Sequence, residues 1–228
     1  THSLTHSLTH SLTHSLTHRL AGRLRSTPLG PLAVDTEVAK ALLADPGLFA
    51  PLDIEDDEAE HSVEMHLPYV KAYVSSSPSV TIVPIVVGAL SPDQERAVGE
   101  VLAPYLRDRR TVFIVSSDFC HWGRRFGFQF HDTARFERIH ESIAWLDHEG
   151  MKVIEKKRPT GFVDYLIAYS NTICGRHPIG VLLCALEAAY DGDAYAVAFT
   201  RYDRSGLVED MGDSSVSYAS AVVKLVDV

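Results

Sequence analysis

The chain has 228 residues, a formal net charge of −9 at pH 7, 46% hydrophobic residues and three cysteines. An acidic chain repels a phosphate backbone, so nucleic acid is excluded as a partner, and no apolar run approaches the ~18 residues of a membrane span. Cys120, Cys174 and Cys184 are too few and odd in number for a disulfide framework, and the polar N-terminus has no apolar secretory core, so a cytoplasmic protein is expected.

Residues 1–18 repeat THSL four times and close on Thr17 and His18. On a helix, this period would stack His2, His6, His10, His14 and His18 in a drifting stripe, and His at i and i+4 can share a metal. Perfect repetition, however, encodes no turn, cap or varied core, so residues 1–25 read as a disordered low-complexity tail without function. The first residue is Thr1 rather than Met, which suggests a processed or truncated chain. Residues 26–228 are read as one domain.

STPLGPLAVDT (26–36) is turn-rich and leads into a helix over 36–45, stopped by Pro46 and Gly47. The acidic run 53–60 reads as a solvated loop that also places negative charge at the next helix N-terminus. Residues 60–74 read as a helix, or a turn and then a helix. TIVPIVVGA (81–89) reads as a buried strand weakened by Pro84. A helix is predicted over 91–108, with Ser91 as N-cap, Pro92 at the first position and Glu95 nearby. TVFIVSS (111–117) has the apolar, β-branched character of a strand buried on both faces. Helices follow over 132–148, 150–157, 160–170 (capped by Thr160) and 177–190, then strands over 194–202 and 216–226. Alternating strands and long helices define an α/β layered domain. No glycine-rich phosphate fingerprint occurs.

SSDFCHWG (116–123) follows a predicted buried strand, and ligands collect beyond the carboxyl ends of such strands. Asp118 and His121 there offer a carboxylate and an imidazole, two parts of a divalent-metal site. The alternative is that Asp118 caps a following helix. In NTICGRHPIG (171–180), Cys174 precedes a helix starting near His177. A helix N-terminus favours the thiolate form of a sulfur placed there, which makes Cys174 a candidate ligand or reactive thiol, against the alternative of a small buried hydrophobe. Cys184, inside an apolar helix, reads as that hydrophobe. Glu60, His61, Glu64 and His66 are dense for one surface helix, but on a helix His61 and His66 would lie ~140° apart, too far to share an ion readily. Arg124, Arg125 and Arg176 flank the same motifs and could form an anion site or be ordinary solvated arginines.

TPLGPLAVDTE, EHSVEMHLPY, IVVGAL, VSSDFCHWG, TICGRHPIGVLL and DSSVSYAS, in this order over 26–228, resemble the MEMO family, named for mediating receptor-driven cell motility. The resemblance implies a fold similar to class III extradiol dioxygenases, with a central mixed, largely parallel sheet flanked by helices. It also implies a pocket of three His, an Asp and a Cys that binds iron or copper without ring-cleaving dioxygenase activity. By motif, Asp118, His121 and Cys174 are the metal-site members, and His61, Glu64, His66 and His177 are assigned to the pocket or to the layer behind it. Animal members of the family also act as signalling adaptors that bind phosphotyrosine peptides, a role that falls here to Arg124, Arg125 and Arg176. Two further pocket His of the family, in PHAGY-like and PSHH-like motifs, have no match in this chain. The ligand set is therefore expected to be incomplete, the N-terminal part of the family domain to be missing, and a hydrophobic strand edge to be exposed. Three readings result: a metal-binding redox protein, a phosphopeptide-binding adaptor, or an inactive fragment.

Overall fold

A computed structural model describes residues 14–17, 24–74 and 79–226 of the chain. They divide into two compact units, Thr1–Leu90 and Ser91–Val228. The α/β class read from the sequence holds. Among the described residues the strands are gathered in three three-stranded sheets rather than one, with two parallel and four antiparallel pairings. No described helix is long and apolar enough to cross a membrane.

In the first unit, β1 (His14–Thr17) lies between β4 (Phe49–Leu52), parallel, and β6 (Ile85–Val86), antiparallel. Part of the repeat is thus a strand where a disordered tail was expected. A period of four is also a multiple of the strand period of two, and threonine favours strands. The rest of the His stripe, His2, His6, His10 and His18, lies outside the described residues. The second sheet places β3 (Leu32–Val34) between β2 (Leu24–Arg25) and β5 (Thr81–Ile82). The single strand predicted over 81–89 is therefore two, shared between two sheets. Pro84 sits at the break because it has no N–H to give a ladder.

Four helices are described in this unit. Helix α1 (Thr36–Leu43) starts on the Asp35 carboxylate, which accepts from the N–H groups of Glu37 and Val38. The acidic run expected to be a loop forms α2 (Ile54–Ala59). Asp53 caps it by accepting from Asp56 N, and Glu55, Asp56 and Asp57 occupy its first turn, where the helix dipole favours them. An ion pair of 2.7 Å joins Arg25 to Asp57. The 60–74 stretch is a short α3 (His61–Glu64) and then α4 (Leu67–Tyr73).

The second unit packs α5 (Pro92–Arg107), α6 (Ile139–Glu155), α7 (Pro159–Tyr169) and α8 (Arg176–Ala189) with a sheet in the order β7 (His121–Trp122), β9 (Ser215–Leu225), β8 (Tyr195–Arg204). Helix α5 opens with a capping box between Ser91 and Gln94, three residues on, rather than with Glu95. Its Gly99 lets α8 approach: a Cβ there would lie 2.6 Å from Cys184 Cβ and 2.7 Å from Ala185 N. Helix α6 is continuous where two helices were predicted. Gly150 does not interrupt it, because its missing side chain makes room for the Tyr165 ring, 2.9 Å from where a Cβ would be. Helix α7 starts at Pro159, with Arg158 at the N-cap and no side-chain cap bond, so Thr160 is not the cap. Trp122, Ile143, Leu146, Phe162, Ile173 and Leu183 form the fully buried centre.

The run TVFIVSS is not a strand. Residues 111–120 pass without helix, turn or bend, and among the described residues nothing pairs with the main chain of 112–117. Val112 is 81% and Ile114 57% exposed. Phe113, Val115 and Phe119, together with an edge of Val112, line a cleft of about 580 Å³ that is also lined by Leu183 and Leu186 of α8 and Phe199 of β8. β-Branched composition supplies the propensity for a strand but not the partner that completes one.

Candidate metal centre

The three side chains singled out by motif converge. Ligand atoms of Asp118, His121 and Cys174 all lie within 4.8 Å of one another, and no other described residues form such a group. Asp118 does not cap a helix, because the chain runs on from it into β7. The main-chain N–H of Asp118 donates to Cys174 Sγ at 3.2 Å, and His121 Nε2 lies 3.5 Å from Asp118 Oδ2. Cys174 is exposed and unpaired by any disulfide, and the Asp118 and His121 side chains are 45% and 23% exposed, so the cluster opens to solvent.

Two local devices hold the loops together. Thr172 Oγ1 accepts from His121 N at 2.8 Å and donates to His121 O at 2.9 Å, clamping the imidazole-bearing residue to the 171–175 segment. Gly175, at the N-cap of α8, donates its N–H to Ser117 Oγ at 3.0 Å. A Cβ at Gly175 would lie 2.4 Å from Ser117 Cβ and 2.5 Å from Ser116 O. Only glycine lets the sulfur-bearing turn come this close. Register on the far side is set by β7 against β9, with His121 opposite Val216 and Trp122 opposite Ser215. Trp122 is fully buried, and its indole N–H donates to Phe130 O at 2.8 Å.

The His121 ring stacks on Phe126 with centroids 5.1 Å apart, and the Arg125 guanidinium sits 4.5 Å over the same Phe126 ring. Both residues belong to a short 3-10 turn, Arg124–Phe126. Arg124, Arg125 and Arg176 are exposed, and none has an ion-pair partner among the described residues.

Behind the cluster lies a network that sequence reasoning missed. Asp147 of α6 is fully buried. Its Oδ1 accepts from Cys120 N at 3.2 Å and Asn171 Nδ2 at 3.0 Å, and its Oδ2 accepts from Tyr202 Oη at 2.8 Å. Asn171 also donates to Tyr165 Oη at 2.8 Å, and Tyr165 donates to Leu146 O. One carboxylate therefore fastens the 118–121 segment, the 171–174 segment and β8 to α6. Burial pushes the Asp147 carboxyl up from its ordinary range against the opposing pull of these donors. The available signal was an acid on the helix face carrying Ile143, Leu146 and Met151.

Cys120 points away into the core, where burial pushes its thiol up. Burial likewise pushes Cys184 up to about 11, which fits its reading as a small buried hydrophobe. The His177 ring meets Glu95 Oε1 at 2.7 Å and links α8 to α5, separate from the three-residue cluster. His61, Glu64 and His66 belong to the first unit. The His61 side chain is 86% exposed, and none of these three joins a metal-capable group among the described residues.

A family model described as Memo-like protein matches residues 8–222. The chain is 46% identical over 199 residues to Protein MEMO1 of Xenopus laevis and 45% identical over the same length to Protein MEMO1 of Homo sapiens, in each case covering 86% of this chain and 66% of the relative. It is also 43% identical to a memo-1 homolog of Caenorhabditis elegans, covering 56% of that protein. The chain belongs to the Memo-like family, and it spans about 66% of the length of the vertebrate relatives it matches.

Proposed function

We propose that the chain carries a metal pocket of redox character, taking iron or copper, in place of a ring-cleaving dioxygenase centre. The convergence of a carboxylate, an imidazole and a thiol within 4.8 Å supports this reading. The donor set fits. Imidazole suits copper and iron, a thiolate adds a soft donor, and three protein ligands leave positions open. Iron or copper held there would supply one-electron chemistry. Cys174 would bind after giving up its proton, and the Asp118 N–H, 3.2 Å from Sγ, holds the sulfur in place. The Thr172 clamp and the Phe126 stack fix the His121 ring, which reduces the ordering cost of binding. A reducing cytoplasm would keep the free Cys174 thiol available.

The test uses cobalt(II) as a spectroscopic substitute. The wild-type chain should show a sulfur-to-cobalt charge-transfer band that Cys174→Ser abolishes and His121→Ala weakens. Because the repeat contains His but no Cys, its own metal binding cannot imitate that band. Equal bands in wild type and Cys174→Ser would overturn the reading.

A second reading, a pocket for phosphotyrosine-type peptides, is favoured by the stack that sets Arg125 beside His121. Exposed guanidiniums without ion-pair partners suit a phosphate bidentately. A phosphotyrosine peptide is expected to bind at least about tenfold tighter than its unphosphorylated form, and Arg125→Ala with Arg176→Ala should erase the difference. Equal affinity for the two peptides would remove this reading.

A further inference from the structure

We infer that Glu95 of α5, acting through His177, is a positioning residue for the Cys174 turn, an inference that rests on the metal reading of that turn. Helix α8 begins poorly equipped. Its N-cap is Gly175, which has no side chain to accept from the first amides, and its first turn holds no acid. Arg176 and His177 stand there instead, although the positive end of a helix dipole disfavours cations. Whatever steadies this end comes from outside the helix.

Glu95 supplies it. The residue is only 8% exposed, and its Oε1 lies 2.7 Å from His177 Nδ1. The fold makes room for this carboxylate, because a Cβ at Gly180 would stand 2.6 Å from Glu95 Cδ. It therefore rests against the first turns of α8 and brings the negative charge that this end lacks. A second pair joins the same two helices, Arg96 to Glu187 at 2.8 Å, but its side chains are 45% and 48% exposed. Solvent replaces an exposed pair at little cost, whereas removing one member of a buried pair strands the other.

Two fixed points then define where α8 starts. Gly99 of α5 meets Cys184 and Ala185 further along the helix, and the Glu95–His177 pair holds the first turn. Three residues, about one helical turn, separate His177 from Cys174. There Gly175 donates to Ser117 Oγ at 3.0 Å, and Cys174 Sγ accepts from Asp118 N at 3.2 Å. Without the pair the helix is still anchored at Gly99. Its first turn, however, is free to swing from Ser117 and to carry the sulfur with it.

Two measurements on the full chain test this inference: hydrogen exchange without metal, and cobalt(II) titration followed by the sulfur-to-cobalt band. The amides to watch are Gly175, bonded to Ser117 Oγ, and Ile179, bonded to Gly175 O. Glu95→Gln and His177→Gln should each speed their exchange about tenfold more than that of Leu183 and Leu186, and raise the cobalt dissociation constant about tenfold. Glu95→Gln keeps the shape and one acceptor oxygen, so it carries the test even if His177→Gln does not fold. The double variant should match the single ones, because all three remove the same pair. Arg96→Gln, which breaks the exposed pair, should change neither readout. Equal acceleration along the whole of α8 would mean that Glu95 merely stabilises the helix, and would overturn the inference. Unchanged exchange at Gly175, or unchanged cobalt affinity despite faster exchange, overturns it as well. Additive losses in the double variant would overturn the route through His177. A wild-type chain without a sulfur band removes the metal reading instead, and the exchange arm still decides whether Glu95 places the turn.

Discussion

Replacing Asp147 with alanine is expected to destabilise the second unit by about 4 kcal/mol, the largest effect of any single substitution considered, as read by urea unfolding. The side chain leaves three donors behind: Cys120 N, Asn171 Nδ2 and Tyr202 Oη. A buried donor stripped of its acceptor costs about 1–3 kcal/mol. Asp147→Asn keeps the shape and one acceptor oxygen, so a loss of about 1–2 kcal/mol is expected.

The two variants also separate shape from charge through pH. The folded-state carboxyl of Asp147 is raised, chiefly by burial, above its ordinary value near 3.8. The folded state therefore holds this proton more tightly than the unfolded state does. The stability that results is fully present below that ordinary value and is lost as pH rises through the folded one. The advantage of wild type over Asp147→Asn should accordingly be greatest in acid, shrink as pH climbs through that window and then stay level. A gap that widened with pH would contradict the raised carboxyl.

Gly175→Ala is expected to cost about 2–3 kcal/mol and to weaken cobalt(II) binding at least about tenfold. The new methyl group would be placed 2.5 Å from the Ser116 carbonyl oxygen, a main-chain atom that cannot rotate away. The backbone of Gly175 has φ −86°, which alanine adopts without strain, so the whole cost is steric and is relieved only by separating the 116–118 and 172–175 segments. That separation draws Cys174 Sγ from Asp118. A combined loss of stability and of the sulfur band is the signature of this geometry. Gly192→Ala, which meets nothing within 4 Å, should change neither by more than about 0.5 kcal/mol.

Local signals placed much of the second unit. Ser91 and Pro92 announced α5, the apolar run 177–190 became α8, and the late hairpin lies within a residue or two of its predicted bounds. Asp118, His121 and Cys174 were legible because two unusual motifs carried them. What lay hidden depends on partners remote in sequence. An acid at position 147 reads as a solvated helix residue until Asn171 and Tyr202 are known to face it. The run 111–117 has the composition of a central strand, but composition cannot supply a neighbour. Conversely, the acidic run 53–60 read as a solvated loop before a helix, yet an aspartate cap and the dipole made it helical itself. The break read between 148 and 150 does not occur, because the Tyr165 ring that fills the space beside Gly150 is invisible from that position.

The break at Pro84 has a consequence for how the first unit melts. Ile82 ends the edge strand of one sheet and Ile85 begins the edge strand of the other, with only Val83 and Pro84 between them. Three peptide links span at most about 11 Å, so neither edge can peel away without dragging the other. Two sheets that might have frayed separately are thus coupled into one cooperative block, whose loosening at either margin is felt at both.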